Sequence, residues 1–253
     1  MPKLSTFRAE IHIHTVLSPC AAVEMIPPLI IETAVDQGIN LIAITDHNAT
    51  ANVEAVMKAA VGTNVSVLGG MEIQTREEVH VICLFPGLDQ VNAWQKMVDQ
   101  ALPDLPNNVE FFGEQFVVDQ TGDFIRSEPR LLSTSTSLSI EDAYERVHAL
   151  GGLFIPAHVN RKAYGLIANL GFIPPNIIPD AVEISRHLPV SDAVKNFPQL
   201  SAYPIIQSGD VHQLDEFLGY NEFLLFEPTI EELSLALQGS EGRSFRVDPI
   251  QTT

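Results

Sequence analysis

The chain has 253 residues, 45% hydrophobic and 18% charged, which is enough to bury a sizeable core in one large α/β domain or two small ones and excludes intrinsic disorder as its main state. Lys and Arg number 14 against 32 Asp and Glu, a net charge of −18 that repels phosphate backbones at long range. DNA coating, long nucleic acid and anionic membranes are therefore disfavoured as partners, whereas a small phosphorylated substrate stays compatible because bound metal reverses the local field.

Cys20 and Cys83 give no disulfide framework, residues 1–5 lack the apolar core of a signal peptide, and no apolar run approaches the ~20 residues of a membrane helix. The expectation is a soluble protein of the reducing cytoplasm, its oligomeric state left open.

In chain order, residues 9–14 alternate, with Ile11 and Ile13 on one face and His12 and His14 on the other. Residues 27–37 predict a helix with prolines in its first turn and Gly38 as its stop. Residues 41–45 form an apolar run expected of a strand covered on both faces. A helix over 51–60, a strand over 65–68 followed by a Gly69-Gly70 turn, a strand over 79–85 and a helix over 91–100 follow.

Residues 101–139 break the rhythm with proline, glycine and a Ser/Thr run, and read as an insertion or lid within one domain spanning 1–253. Beyond it come a helix over 140–150, strands over 153–155, 181–185 and 204–207, and a helix over 230–237. Strand and helix in alternation indicate a parallel α/β architecture, a barrel or a doubly wound sheet.

The histidines fall in a pattern. His12 and His14 are two apart on a strand, a two-point metal clamp. Asp46 and His47 follow the strand over 41–45, Glu72 follows that over 65–68, His158 follows that over 153–155, and Asp210 and His212 follow that over 204–207; His80 lies at the opening of its strand. In a parallel barrel such strand ends meet at one face, where the active site is built. Six imidazoles with Glu72 and Asp210 exceed the needs of one tetrahedral ion, so a multinuclear site of Zn, Mn or Fe, with Glu72 as bridge, is expected. Such ions give hydroxide from water at neutral pH and stabilise phosphoryl transfer.

His148, inside a predicted helix, and His187, in a loop, read as non-ligands, and Trp94 and Met97 as packing rather than a base-stacking platform. Cys83 reads as core.

The motifs His12-Ile13-His14-Thr15, Thr45-Asp46-His47-Asn48, Gly70-Met71-Glu72-Ile73, His80, Ala157-His158-Val159-Asn160-Arg161 and Ser208-Gly209-Asp210-Val211-His212, taken in order, resemble those of the PHP family, named for polymerase and histidinol phosphatase. The resemblance implies a distorted (β/α)7 TIM-like barrel with up to three metals at its C-terminal face. His12, His14, Glu72 and Asp210 would hold one; Glu72, His80 and His158 another; His47 and His212 the third. Arg161 matches the family's phosphate-contacting arginine, and Arg186 would reach the same face; with Asp46 these are the candidate catalytic residues.

Many members complete the third site with an Asp or His in the turn after the H-x-H. Here Pro19 stands there, so that Cys20 or a water substitutes, or the site is weak; a buried, inert Cys20 is the other reading. The implied function is a metal-dependent phosphoesterase acting on a small phosphomonoester, nucleotide or nucleoside bisphosphate, by metal-activated hydroxide. The alternatives are a histidinol-phosphate phosphatase, a short-oligonucleotide nuclease, a non-catalytic metal-supported module, or a metallohydrolase of C–N bonds.

Overall fold

Strand β1 (Ser5–Ile13) lies between β2 (Leu41–Ile44), parallel to it, and β10 (Asn221–Leu225), antiparallel to it, in a computed structural model that describes residues 3–248. The sheet continues from β2 to β3 (Ser66–Gln74) in parallel, then antiparallel to β4 (His80–Phe85) and from there to β7 (Leu153–Pro156). On the far side of β10 it ends at β11 (Ser244–Val247).

A second small sheet pairs β8 (Val182–Ile184) with β9 (Ile205–Gln207) in parallel. It bridges the two arms of the curled large sheet. On one side Val159 N–H donates to Glu183 O (2.9 Å), and on the other Val211 N–H donates to His12 O and His14 N–H to Val211 O (both 2.9 Å).

The alternation of elements holds, but the sheet is mixed rather than a uniform (β/α)7 repeat. Strand β4 follows β3 through a tight turn at 75–79, too short for a crossover helix, and so runs antiparallel. Gly69 and Gly70 do not form a turn. Both lie inside β3, where a Cβ on Gly69 would come within 2.8 Å of the Val91 side chain and one on Gly70 within 2.6 Å of the Cys83 carbonyl. The glycines mark close approach, not chain reversal.

Helices α1 (Pro27–Asp36), α2 (Val53–Ala59), α3 (Leu88–Ala101) and α5 (Ile140–Ala149) cover one face of the sheet with Ile30, Val56, Trp94 and Val147 in a shared core. Proline at the start of α1 presets φ, and a reciprocal Ser139–Asp142 capping box satisfies free N–H groups at the start of α5. On the other face, Ile11, Leu41, Ile82, Ile155, Ile206 and Phe223 form a second core together with α8 (Ile230–Leu237). Burial on both faces explains the continuous apolar run of β2. Ile11 and Ile13 sit in different cores, because the β1–β2 register shifts between Glu10 and Ile13.

Residues 101–139 contain the single-turn α4 (Val109–Phe112) and the hairpin β5 (Phe116–Val118) and β6 (Phe124–Ser127). Leu102, Val117 and Leu132 from this segment pack on Leu17 and Ala49. Asn52 ties it down further: its Nδ2 donates to Phe116 O (3.0 Å), and its Oδ1 accepts from Val118 N–H (3.0 Å). Short helices α6 (Leu166–Leu170) and α7 (Val190–Asn196) complete the chain. No helix among the described residues is long and apolar enough to cross a membrane.

Candidate metal centre

Each strand end delivers its donors to one place. His12 is on β1 and His14 just past it; His47 follows β2; Glu72 lies within β3; His158 is two residues past β7; Asp210 and His212 follow β9. His80 is the first residue of β4, and because β4 runs against its neighbours, its start falls at the same face as their ends.

Glu72 is at the centre. Its Oε1 lies 3.0 Å from His80 Nδ1, 3.2 Å from His12 Nε2 and 3.2 Å from His158 Nε2, and its Oε2 lies 2.8 Å from His47 Nδ1. Asp210 Oδ1 is 3.3 Å from His12 Nε2 and 3.4 Å from His14 Nε2. Three overlapping sets have donor atoms within 4.8 Å of one another: His12, His14, Glu72 and Asp210; His47, Glu72 and His80; and His14, His47 and His212. Asn48, His158 and Asp210 hold φ at 49°, 30° and 50°, a left-handed conformation concentrated at this face.

Residues behind the donors fix their orientation. Glu183 lies 3.0 Å from His12 Nδ1 and also accepts from His158 N–H (3.0 Å), which turns His12 Nε2 toward Glu72. Ser18 Oγ sits 2.9 Å from His14 Nδ1, accepts from His47 N–H (3.1 Å) and donates to Asp46 Oδ1 (2.8 Å).

Asp46 is therefore not at the reacting face. Its two oxygens accept from Thr15 N–H, Thr15 Oγ1–H and Ser18 Oγ–H, which places the expected catalytic carboxylate behind His14 and His47 rather than among the donors. Burial raises its pKa against these hydrogen bonds.

Arg161 Nη1 is 2.6 Å from Asp210 Oδ2, at the centre, with a third of its side chain exposed. Arg186 instead binds Glu216 (2.6 Å), whose other oxygen accepts from His212 N–H (2.7 Å) and Gln213 N–H (3.0 Å). It braces the His212 turn rather than facing the donors.

Burial works against charge on every group here, and the neighbours decide the outcome. Against burial, Glu183, Glu72 and Asp210 hold the His12 pKa well above its ordinary value, and Glu72 and Cys20 do the same for His47. Burial pushes His14 well below the usual range, with His212 and His47 adding to it. His80 is brought to about 4, chiefly by burial, despite Glu72. Glu72 is held well below the carboxylate range by His80, His12 and His47 against its burial.

A metal fits this donor set. Buried His158 Nδ1 has no hydrogen-bond partner, and imidazole with carboxylate is the ligand chemistry of Zn, Mn and Fe. Cys20 is exposed as a residue while its thiol is turned inward beside His47 and His212; desolvation of the thiol raises its pKa, but His212 and His47 bring it to about 6. Cys83, in contrast, is core.

His148 pairs with Asp180 (2.8 Å), and exposed His187 belongs to none of the donor sets; Trp94 and Met97 pack in the core. Glu183, Ser18 and Glu216, which hydrogen-bond to the candidate donors or their backbone, were missed in the sequence. Only Glu183 leaves a signal there, as an acid in the middle of an apolar strand.

A model of the PHP domain matches residues 10–151, more than half of the chain. The chain belongs to the PHP family. At the family level the expectation of a metal-dependent hydrolase holds. The uncharacterized protein YqxK of Bacillus subtilis (strain 168) is 30% identical over 135 residues, 49% of this chain and 33% of that protein.

Among solved structures, the lesion-specific endonuclease PfuEndoQ from Pyrococcus furiosus superposes with a TM-score of 0.72 at 21% identity, covering 95% of this chain and 58% of that one. A putative metal-dependent phosphoesterase from Bifidobacterium adolescentis gives 0.53 at 18% identity, covering 81% and 87%. The chain thus spans a third of the curated relative and somewhat over half of the endonuclease.

One expectation is corrected here. Endonuclease Q, which shares this fold, has been seen in complex with a 27-mer duplex carrying an abasic lesion at its active site (TM-score 0.71), so the −18 charge does not rule out long nucleic acid as a partner. Net charge acts at long range, whereas a cation cluster and arginine set the field within the site.

Proposed function

We propose that this chain is a phosphoesterase that hydrolyses small phosphomonoesters, with nucleotides or nucleoside bisphosphates as the substrate class. In this reading 1–253 act as a single PHP domain, with 101–139 an insertion in it, in the reducing cytoplasm. The observation that carries it is Glu72, one buried carboxylate within 3.2 Å of four imidazoles.

His12, His14, Glu72 and Asp210 would hold one divalent ion, Glu72, His80 and His158 a second with His47 in reach, and His47 and His212 a third beside His14. Zn, Mn or Fe bound there supplies a water acidic enough to react at neutral pH and a counter-charge for phosphoryl oxygens.

The chain's own residues do the rest. Arg161 has a planar fork that can turn from Asp210 to two phosphate oxygens and orient the ester. Glu183 and Ser18 keep His12 and His14 with Nε2 forward, so that neither ring reorganises when substrate arrives. Arg186, through Glu216, keeps the His212 turn in place.

The test is phosphate release from a panel of nucleotides, nucleoside bisphosphates and histidinol phosphate with Mn or Zn added, beside cleavage of an abasic-site duplex and of simple amides. The expected result is release from a nucleotide-type ester, reduced by two orders of magnitude or more in His12→Ala. Turnover of no substrate with either metal would leave the non-catalytic module as the better reading.

A further inference from the structure

Beside the donor cluster is a cavity of about 290 Å³ whose lining includes His47, His80, Phe111, Phe112 and Tyr164. We infer that this cavity takes a planar ring joined to the phosphate, a nucleobase, and that Phe111 from the 101–139 segment is the residue that stacks on it. The inference rests on the phosphoesterase reading for the position of the phosphate.

Phe111 is 78% exposed, and a single exposed phenyl needs no explanation of its own. Its setting is what matters. Helix α4 is seated on the turn that carries Cys20: Gly113, at φ 99°, directly meets the Pro19 carbonyl, leaving no room for a Cβ. Phe112 meets Phe111 edge-on, with ring centroids 4.7 Å apart and planes at 79°, which restrains the exposed ring.

In the same lining, Tyr164 lies parallel to His80, with centroids 4.4 Å apart and planes within 6°, while its carbonyl accepts from His80 N–H (3.0 Å). Tyr164 is itself 44% exposed, and its φ of 59° is one an L residue seldom adopts. Two aromatic side chains are thus held in the wall of one cavity, next to imidazoles that reach Glu72 within 3.0 Å.

An aliphatic phosphate ester would leave both rings in water. A base attached to the phosphate would cover them, whatever its hydrogen-bonding edge, because every base has a π-face. Specificity at this wall would be for flatness rather than for one base.

Calorimetric titration of the full chain, with Mn and without added metal, tests this with adenosine 5′-monophosphate against ribose 5-phosphate. A short 5′-phosphorylated oligonucleotide shows whether a base within a strand uses the same wall. The expected result is that the adenylate binds roughly tenfold or more tighter than the sugar phosphate. Phe111→Ala should remove most of that ratio by weakening the adenylate alone, and Phe111→Trp should restore it. Equal affinities for the two ligands in the wild-type chain, or a ratio unchanged in Phe111→Ala, would overturn the inference. A base preference that depends on Phe111 in a chain that releases no phosphate would support the ring-binding wall and count against the phosphoesterase reading.

Discussion

Glu183 shows how much of the centre lies behind the donors. The donors themselves were legible because histidine at successive strand ends has no packing reason to be there, whereas the hydrogen bonds of Glu183 to His12, Ser18 to His47 and Glu216 to Arg186 join segments distant in sequence. Asp46 adjoins His47 in sequence yet points away from the donors, since Thr15 and Ser18 take up its oxygens. Replacing Glu183 by Gln should keep the fold and lower metal affinity by about 10–100-fold, measured by competition with a chromophoric chelator; His187→Ala should change nothing.

Glu10 offers a pH test at the same scale. Buried beneath the Asp210 turn, it accepts from Gly209, Leu218 and Gly219 N–H groups, and burial raises its pKa from 4.5 to about 7 against those bonds. A raised folded-state pKa means that the folded chain holds this proton where the unfolded chain has lost it. The stabilising contribution is full below pH 4.5 and is lost as pH rises through about 7, by up to about 3 kcal/mol. Denaturant unfolding between pH 5 and 8 should show this loss in the wild-type chain and much less of it in Glu10→Gln; parallel pH profiles would contradict it.

At the scale of elements, apolar runs located nearly every strand that carries a donor, and proline, glycine and capping residues located the main helices. The errors have specific causes. Gly69-Gly70 has the composition of a turn, but the space around β3 is what requires glycine. The β3–β4 reversal sits in a short polar stretch at 75–79 and left no crossover signal. Strands β10 and β11 were missed because five and four residues carry little periodicity, β10 joining β1 and β11 forming the edge beyond it only after α8 intervenes in the chain. Gly70→Ala should destabilise the chain by about 1–3 kcal/mol, since its Cβ would press within 2.6 Å of the Cys83 carbonyl, a backbone atom that cannot rotate away. Gly62→Ala, where no atom lies within 4 Å, tests backbone strain alone at φ 89°.

For the whole molecule, the curl of the sheet is what converts scattered residues into a site. The ends of β1, β2, β7 and β9, the interior of β3 and the start of β4 meet only because the β8–β9 pair bridges the two arms. That convergence was readable as a tendency of α/β folds, but its mixed strand directions were not, because direction depends on loop length and pairing. Charge misled for a related reason: −18 is a sum over the surface and says little about a cleft where six histidines and Arg161 gather.

Metal bound there links to folding, since the unfolded chain has no such site. At a free metal concentration a hundredfold above the dissociation constant, binding adds about 2.7 kcal/mol. Chelation should therefore lower Tm by roughly 5–10 °C, and readdition of Mn or Zn should restore it.

A multinuclear centre here requires Glu72 to be shared between ions. Elemental analysis of the chain purified without chelators, compared with Glu72→Gln prepared in the same way, tests that directly. The wild-type chain should carry at least two transition-metal ions, and the variant should lose more than one of them. A wild-type chain without metal, or a variant with unchanged content, would contradict the central claim.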